Sequence, residues 1–242
     1  MPESRFDAWV AERYDLLWPE LFDPTLVEST VDFLAGWAGS GPALELGVGT
    51  GRIAQPLSQQ GIRVHGIELS RAMVEQLQAE LPETTVSVTV GDLATTSVDE
   101  QFTLVYLLCN TNTNLTSQGE QVEAFRNAER HLHPGGHFVI ENYLPELRRL
   151  PPGEIRHVFT ATPNHLGFEE YDVVNQIAIS HHYWVIEDEL RRFSSPHRYA
   201  WPAELDLMAW IAGLTLRERW ASWTREPFTS ESRSHISVWM KP

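Results

Sequence analysis

Three carboxylates stand where short apolar runs of this chain end. Glu45 lies in Pro42-Ala-Leu-Glu-Leu-Gly-Val-Gly-Thr-Gly51, Glu68 closes Arg63-Val-His-Gly-Ile-Glu68, and Asp92 follows Thr85-Val-Ser-Val-Thr-Val90-Gly91. An acid at the end of a second strand can accept both hydroxyls of a ribose. One after a third strand can accept from an exocyclic amine such as that of adenine. Gly47, Gly49 and Gly51 lack side chains where the backbone must turn sharply and let a ligand approach. Together these residues could cradle an adenosyl group.

The acids also bear on which adenosyl compound would fit. Counting G-x-G-x-x-G from Gly47 or Gly49 puts Arg52 or Ala54 where the last glycine of a nicotinamide fingerprint belongs. Glu45, two residues before the first glycine, would repel a pyrophosphate but suits a cationic amino-acid tail. S-adenosylmethionine carries a sulfonium and an ammonium and no phosphate, so the pattern favours it.

These loops need strands and helices to hold them. Ala43, Leu44 and Leu46 make a buried strand. The helix after the glycines (Ile53, Ala54, Leu57, closed by Gly61) is expected to aim unpaired N–H groups at the ligand. Ser70 caps a helix striped by Met73, Val74, Leu77 and Leu81. Phe102-Thr-Leu-Val-Tyr-Leu-Leu108 reads as a fourth strand, and Ser117 with Glu120 forms a capping box for a helix striped by Val122, Phe125, Ala128 and Leu132. His133-Pro-Gly-Gly136 reads as a turn before a fifth strand, His137-Phe-Val-Ile-Glu-Asn142. Asp7 to Trp18 and Thr25 to Trp37 look helical. Trp201-Pro202 opens a helix to Gly213, and 214–222 with 235–240 form a terminal antiparallel hairpin.

Through Glu45 to Gly51, Glu68 and Gly91-Asp92, the chain resembles the class I S-adenosylmethionine-dependent methyltransferases, over about residues 30 to 145. The resemblance implies an α/β, Rossmann-like seven-stranded sheet. It implies a cofactor site of Tyr14, Glu45, Gly47, Gly49, Gly51, Glu68, Leu69, Asp92, Leu93, Cys109 and Asn110. In related small-molecule enzymes a tyrosine placed like Tyr14 covers the cofactor. Trp18 either does the same or anchors a helix.

Residues 143–200 break the βα alternation. Segments 154–160, 166–171, 176–186 and 190–199 are strand-like with no strong helix between them, which predicts an inserted antiparallel sheet over the cofactor edge. The expected organisation is therefore a helical segment 1–37, a cofactor core 38–142, the insert 143–200, and a closing helix and hairpin 201–242. Similar inserts serve acceptor recognition or dimer contact in deoxysugar N-methyltransferases, which implies a small-molecule acceptor and a homodimer through the insert.

Methyl transfer to an amine needs a neutral nitrogen, and transfer to a hydroxyl needs a base. His181, His182 and Tyr183 in the insert are the catalytic candidates. Neighbouring strand residues point to opposite faces, so His181 and His182 cannot chelate one ion, and one of them faces the pocket. His182 shares its face with Ser180 and Trp184, and His181 shares the other with Tyr183. His131 and His133 are placed to favour a helix C-terminus, and no metal site is expected. Glu141, Asn142 and Tyr143 end the fifth strand in position to meet an acceptor. Asn110 either orients the acceptor or caps a turn, and Cys109 reads as a small buried residue.

Composition narrows the classes. A formal net charge of -15 repels nucleic-acid backbones. A single cysteine suits a reducing cytoplasm, and no apolar run has the length of a signal peptide or membrane span. A cytoplasmic enzyme of specialised metabolism is expected, methylating N or O of a small metabolite. A same-fold enzyme of non-methylating chemistry and a non-catalytic binding protein fit the same motifs.

Overall fold

The computed structural model describes residues 6–80 and 86–242. Leu81, assigned above to a helix stripe, and Thr85, assigned to a strand, lie outside the described residues, as do residues 1–5. The apolar runs pair into one seven-stranded sheet. Its strands are β1 (Ala43–Leu46), β2 (Val64–Glu68), β3 (Val86–Val90), β4 (Phe102–Leu107), β5 (Leu132–Tyr143), β10 (Thr215–Trp220) and β11 (Ser234–Met240), ordered β10-β11-β5-β4-β1-β2-β3. The five strands from β5 to β3 are parallel, and β11 runs antiparallel between β5 and β10. β1 is buried along its whole length, as a central strand covered on both faces must be.

Helices α3 (Pro24–Ala38), α4 (Ala54–Gln59), α5 (Arg71–Glu80), α6 (Gln118–His131) and α7 (Pro202–Ile211) cover the sheet. Asp23 caps α3 by accepting from Thr25 and Leu26, and Ser117 with Glu120 closes the expected capping box on α6. The segment before α3 is two short helices, α1 (Ala8–Ala11) and α2 (Tyr14–Leu17), and a 3₁₀ turn (Pro19–Phe22), where one helix from Asp7 to Trp18 is expected. Its aromatic rings bury themselves against the insert, and that tertiary packing overrides helical continuity.

Two further expectations change. The Pro134-Gly135-Gly136 stretch is strand, because Gly135 N–H donates to Lys241 O and Lys241 N–H to Gly136 O, extending the ladder with the β11 end. His131 is not a charged dipole partner at the end of α6. It is buried and its pKa is lowered by burial. Val98 N–H donates to its Nε2, so the ring proton sits on Nδ1 and faces Asn127 O.

The insert folds as expected, into β6 (Arg156–Ala161), β7 (His165–Asp172), β8 (Ile177–Ile186) and β9 (Glu189–Arg198), a consecutive antiparallel sheet. A buried polar knot fastens it to the core. Arg198 at the end of β9 pairs with Glu204 of α7 at 2.7 Å and donates to Gln121 of α6, whose amide returns a bond to Arg198 O. Removing one partner would strand the others without water, so the insert is held at a fixed angle over the carboxyl edge of the main sheet. Among the described residues no helix is long and apolar enough to cross a membrane.

Candidate functional site

The first loop is shaped by positive backbone angles at Gly47, Gly49 and Gly51 (φ 83°, 56° and 84°), a region that side chains strain. A Cβ on Gly47 would meet Thr111 Cγ2 at 2.7 Å, whereas Gly49 faces open space. The loop amides are turned inward. Gly47 and Val48 N–H both donate to Ile67 O, Gly51 N–H donates to Val48 O, and Gly49 N–H donates to Glu68 Oε2 at 2.9 Å. The helix after the glycines starts only at Ala54, three residues past Gly51. A pyrophosphate would meet two acids, Glu68 and Asp92.

Glu68 lies at the end of β2 and accepts Ser70 N–H on Oε1 at 2.8 Å. Each of its oxygens therefore keeps acceptor capacity for a hydroxyl. Asp92 uses Oδ1 for Ala94 N–H. These two, with Gly47, Gly49, Ile67, Leu69, Met73, Leu93, Phe6, Tyr14 and Cys109, line a crevice of about 250 Å³. The arrangement has carboxylates for ribose and amine, aliphatic side chains for a purine, and a side-chain-free approach at Gly49. It fits an adenosyl group without phosphate.

Glu45, Gly51 and Asn110, all expected in the cofactor site, do not line this crevice, and Asn110 lines the adjoining cavity. Glu45 is 5% exposed and lies beneath it, accepting Tyr106 Oη–H at 3.0 Å. Burial pushes its carboxyl up to about 8, with the Tyr106 bond and the Arg52 charge pulling the other way. It is thus largely neutral at pH 7 and a poor counter-ion for a cationic tail. Because the folded value exceeds the unfolded one, the stability that neutral Glu45 confers is complete below about pH 4.5 and lost as pH rises toward 8. Glu45→Gln should therefore gain stability relative to the parent between pH 5 and 8, at about 2–4 °C of melting temperature per kcal/mol. Melting curves at the two pH values check this, and a difference that does not grow with pH would refute it.

The end of β4 supplies Cys109 and Asn110, consecutive residues at φ 50° and 60°. Left-handed non-glycine residues cost about 1–3 kcal/mol each and cluster where a chain must present groups to a ligand. Bonds to β5 hold them, among them Asn110 N–H to Glu141 O. Asn110 Oδ1 accepts Tyr143 N–H at 2.6 Å, and Glu141 Oε2 accepts Cys109 N–H at 2.9 Å. Glu141 also accepts from Trp223 Nε1, so it braces the loop and does not line the adjoining cavity. Asn142 is fully buried and does not line it either. Burial pushes the Cys109 thiol up to about 12, which leaves it a neutral packing residue.

A larger cavity of about 820 Å³ opens from this crevice, sharing Phe6, Tyr14, Cys109, Asn114 and Ser195 with it. Its roof is one face of the inserted sheet. Pairing Gly167↔His182↔Phe193 and Glu169↔Ser180↔Ser195 fixes which side chains face down. His182, Ser180, Trp184, Phe193, Glu169 and His165 line the cavity, and Trp18 closes it from the N-terminal segment. His181 and Tyr183, both catalytic candidates above, do not line it. They lie on the opposite face, where Phe168 stacks on both rings and His181 Nδ1 meets Ser194 Oγ. Sequence reasoning passed over His165, Glu169, Phe193, His197 and Glu20. Two-residue alternation from His182 gives the face of β8, but the register with β7 and β9 is needed to add theirs.

Among the described residues, the charged lining of the cavity is Glu20 and Glu169, with no Lys or Arg. Burial raises the pKa of Glu169, while Tyr171 Oη–H and Ser180 Oγ bond to it. Burial also raises the Tyr14 phenol, which stays neutral. The buried Tyr143 hydroxyl, also in the lining, has no hydrogen-bond partner among the described residues. His182 is 8% exposed and pushed down to about 4 by burial, then by His165, His197 and His181.

Comparison with known proteins agrees with this geometry. Residues 43–136 match a methyltransferase domain family. The chain is similar to the CcbJ methyltransferase from Streptomyces caelestis, at 35% identity and a TM-score of 0.88, over 100% of this chain and 99% of that one. It is 28% identical to a cypemycin N-terminal methyltransferase from a Streptomyces species, over 97% of each chain. A dTDP-4-amino-2,3,4,6-tetradeoxy-D-glucose N,N-dimethyltransferase from Saccharopolyspora spinosa is 34% identical over 40% of this chain and 39% of its own. The chain belongs to the class I S-adenosylmethionine-dependent methyltransferases. Its cofactor is S-adenosylmethionine, and its reaction is methyl transfer to nitrogen or oxygen of a small molecule.

Proposed function

We propose that the enzyme methylates an amine nitrogen on a small, unphosphorylated metabolite. The observation that carries this reading is the 820 Å³ cavity, which adjoins the cofactor crevice and holds two acids and, among the described residues, no Lys or Arg. Such a lining favours cationic and neutral acceptors and repels phosphates and carboxylates. The names of two relatives specify N-terminal and N,N-methylation, which supports nitrogen as the target.

In this reading Glu68 accepts the ribose hydroxyls, Asp92 the adenine amine, and Leu69 and Leu93 flank the base. Tyr14 and Phe6, which line both spaces, lie between cofactor and acceptor. S-adenosylmethionine, when bound, supplies an electrophilic methyl group. The protein's task is to hold a neutral nitrogen in line and keep water out. Trp18, Trp184 and Phe193 form the dry wall. His182 accepts the acceptor's proton, because it is neutral and its ring faces the cavity. The test is S-adenosylhomocysteine release with a panel of amines, each paired with its phosphorylated and its hydroxyl counterpart, for example glucosamine with glucosamine 6-phosphate and glucose. Turnover should favour unphosphorylated amines, and activity confined to phosphorylated or hydroxyl acceptors would overturn the reading.

A further inference from the structure

We propose that His165 and His182 form a two-imidazole path that carries the acceptor's proton from the cavity to solvent. The proposal rests on the amine reading above. An ammonium has no lone pair, so one proton must leave before each methyl is transferred. His182 can take that proton but cannot keep it. It is 8% exposed, with His165 of β7, His197 of β9 and His181 of its own strand around it. An imidazolium stored there would be desolvated and ringed by other imidazoles, so the proton has to move on.

The geometry supplies one exit. His165 Nε2 lies 3.0 Å from His182 Nδ1, a hydrogen bond between diagonal neighbours on one face of an antiparallel pair. Trp184 stacks on both rings, with centroids 5.0 Å from His165 and 4.8 Å from His182, which limits rotation of either. His165 is only partly buried; burial lowers its pKa, and the Glu20 carboxylate across the cavity pulls the other way. The path therefore runs from the more buried ring to the more exposed one, where water can take the proton.

The transfer balances. The ammonium N–H passes its proton to His182 Nε2, His182 Nδ1–H passes its own to His165 Nε2, and His165 Nδ1–H goes to water. Both rings end neutral with their tautomers inverted. After product leaves and water enters the cavity, His182 Nε2–H goes to water, His165 Nε2–H returns to His182 Nδ1, and water protonates His165 Nδ1, which restores the starting state. The scheme requires one resting tautomer: His182 must carry its proton on Nδ1 and donate to His165.

Long-range proton–nitrogen NMR of the full chain with ¹⁵N-labelled histidine and bound S-adenosylhomocysteine tests this without an acceptor. Between about pH 5 and 8, His182 should be neutral and protonated on Nδ1, with nitrogen–nitrogen coupling across the bond to His165 Nε2. His165→Phe keeps a ring for stacking and removes the path. In it, exchange of the His182 ring proton with water should slow by about tenfold or more. His165→Gln serves the same comparison if the phenylalanine variant does not fold. Finding the His182 proton on Nε2, or equal exchange in the variants, overturns the path. That failure would leave the amine reading standing, since the acceptor panel does not depend on His165.

Discussion

Glu68→Ala is expected to weaken binding of S-adenosylmethionine and S-adenosylhomocysteine by roughly ten- to a few hundred-fold. Hydrogen bonds to a charged group contribute about 1.5–3 kcal/mol each, and every 1.4 kcal/mol or so is tenfold in affinity. The carboxylate has two duties, since it also receives Gly49 and Ser70 N–H and so shapes the loop it shares with the cofactor. Glu68→Gln keeps an oxygen for one of those amides and loses an acceptor, so it should fall between alanine and the parent. Asp92→Ala should cost less, because Asp92 has one cofactor bond to lose and already uses Oδ1 on Ala94. Titration calorimetry measures all three. Parental affinity in Glu68→Ala would remove that residue from the site.

What could be read from the sequence divides along a physical line. Leu44, Leu46, Val105 and Ile140 sit on strands whose local periodicity marks them as buried, and they are buried. Glycines at 47, 49 and 51 announce a turn because only glycine takes those backbone angles cheaply. The four strands of the insert were legible for the same reason, each being a local pattern. Contacts set by distant parts of the chain were not. Nothing near Glu45 says that Tyr106, on the neighbouring strand, will accept its company below the crevice. Nothing near Gly49 says that its N–H will be taken by Glu68, nineteen residues on. His181 and His182 are chemically equal in the sequence, and only the packing of one face of the sheet onto Trp18 separates them.

That separation makes the last expected result specific. His182→Ala should reduce turnover with an amine acceptor by at least 10²-fold, the lower end of what positioned proton transfer contributes. S-adenosylhomocysteine affinity should stay within about threefold, a change below 1 kcal/mol, since His182 lines the larger cavity and not the crevice. His181→Ala and Tyr183→Ala should stay close to the parent in both respects, because Phe168 and Ser194 are their neighbours. The acid limb of the rate profile offers an independent check. With His182 held down to about 4, it is already neutral through the physiological range, so loss of activity on acidification should follow the acceptor amine's own protonation and shift from one amine to another. A limb fixed near 6.5 for every amine would point to an ordinary histidine and away from His182. Full activity in His182→Ala would move proton removal elsewhere in the cavity, with Tyr14 and Tyr143 the next residues to replace.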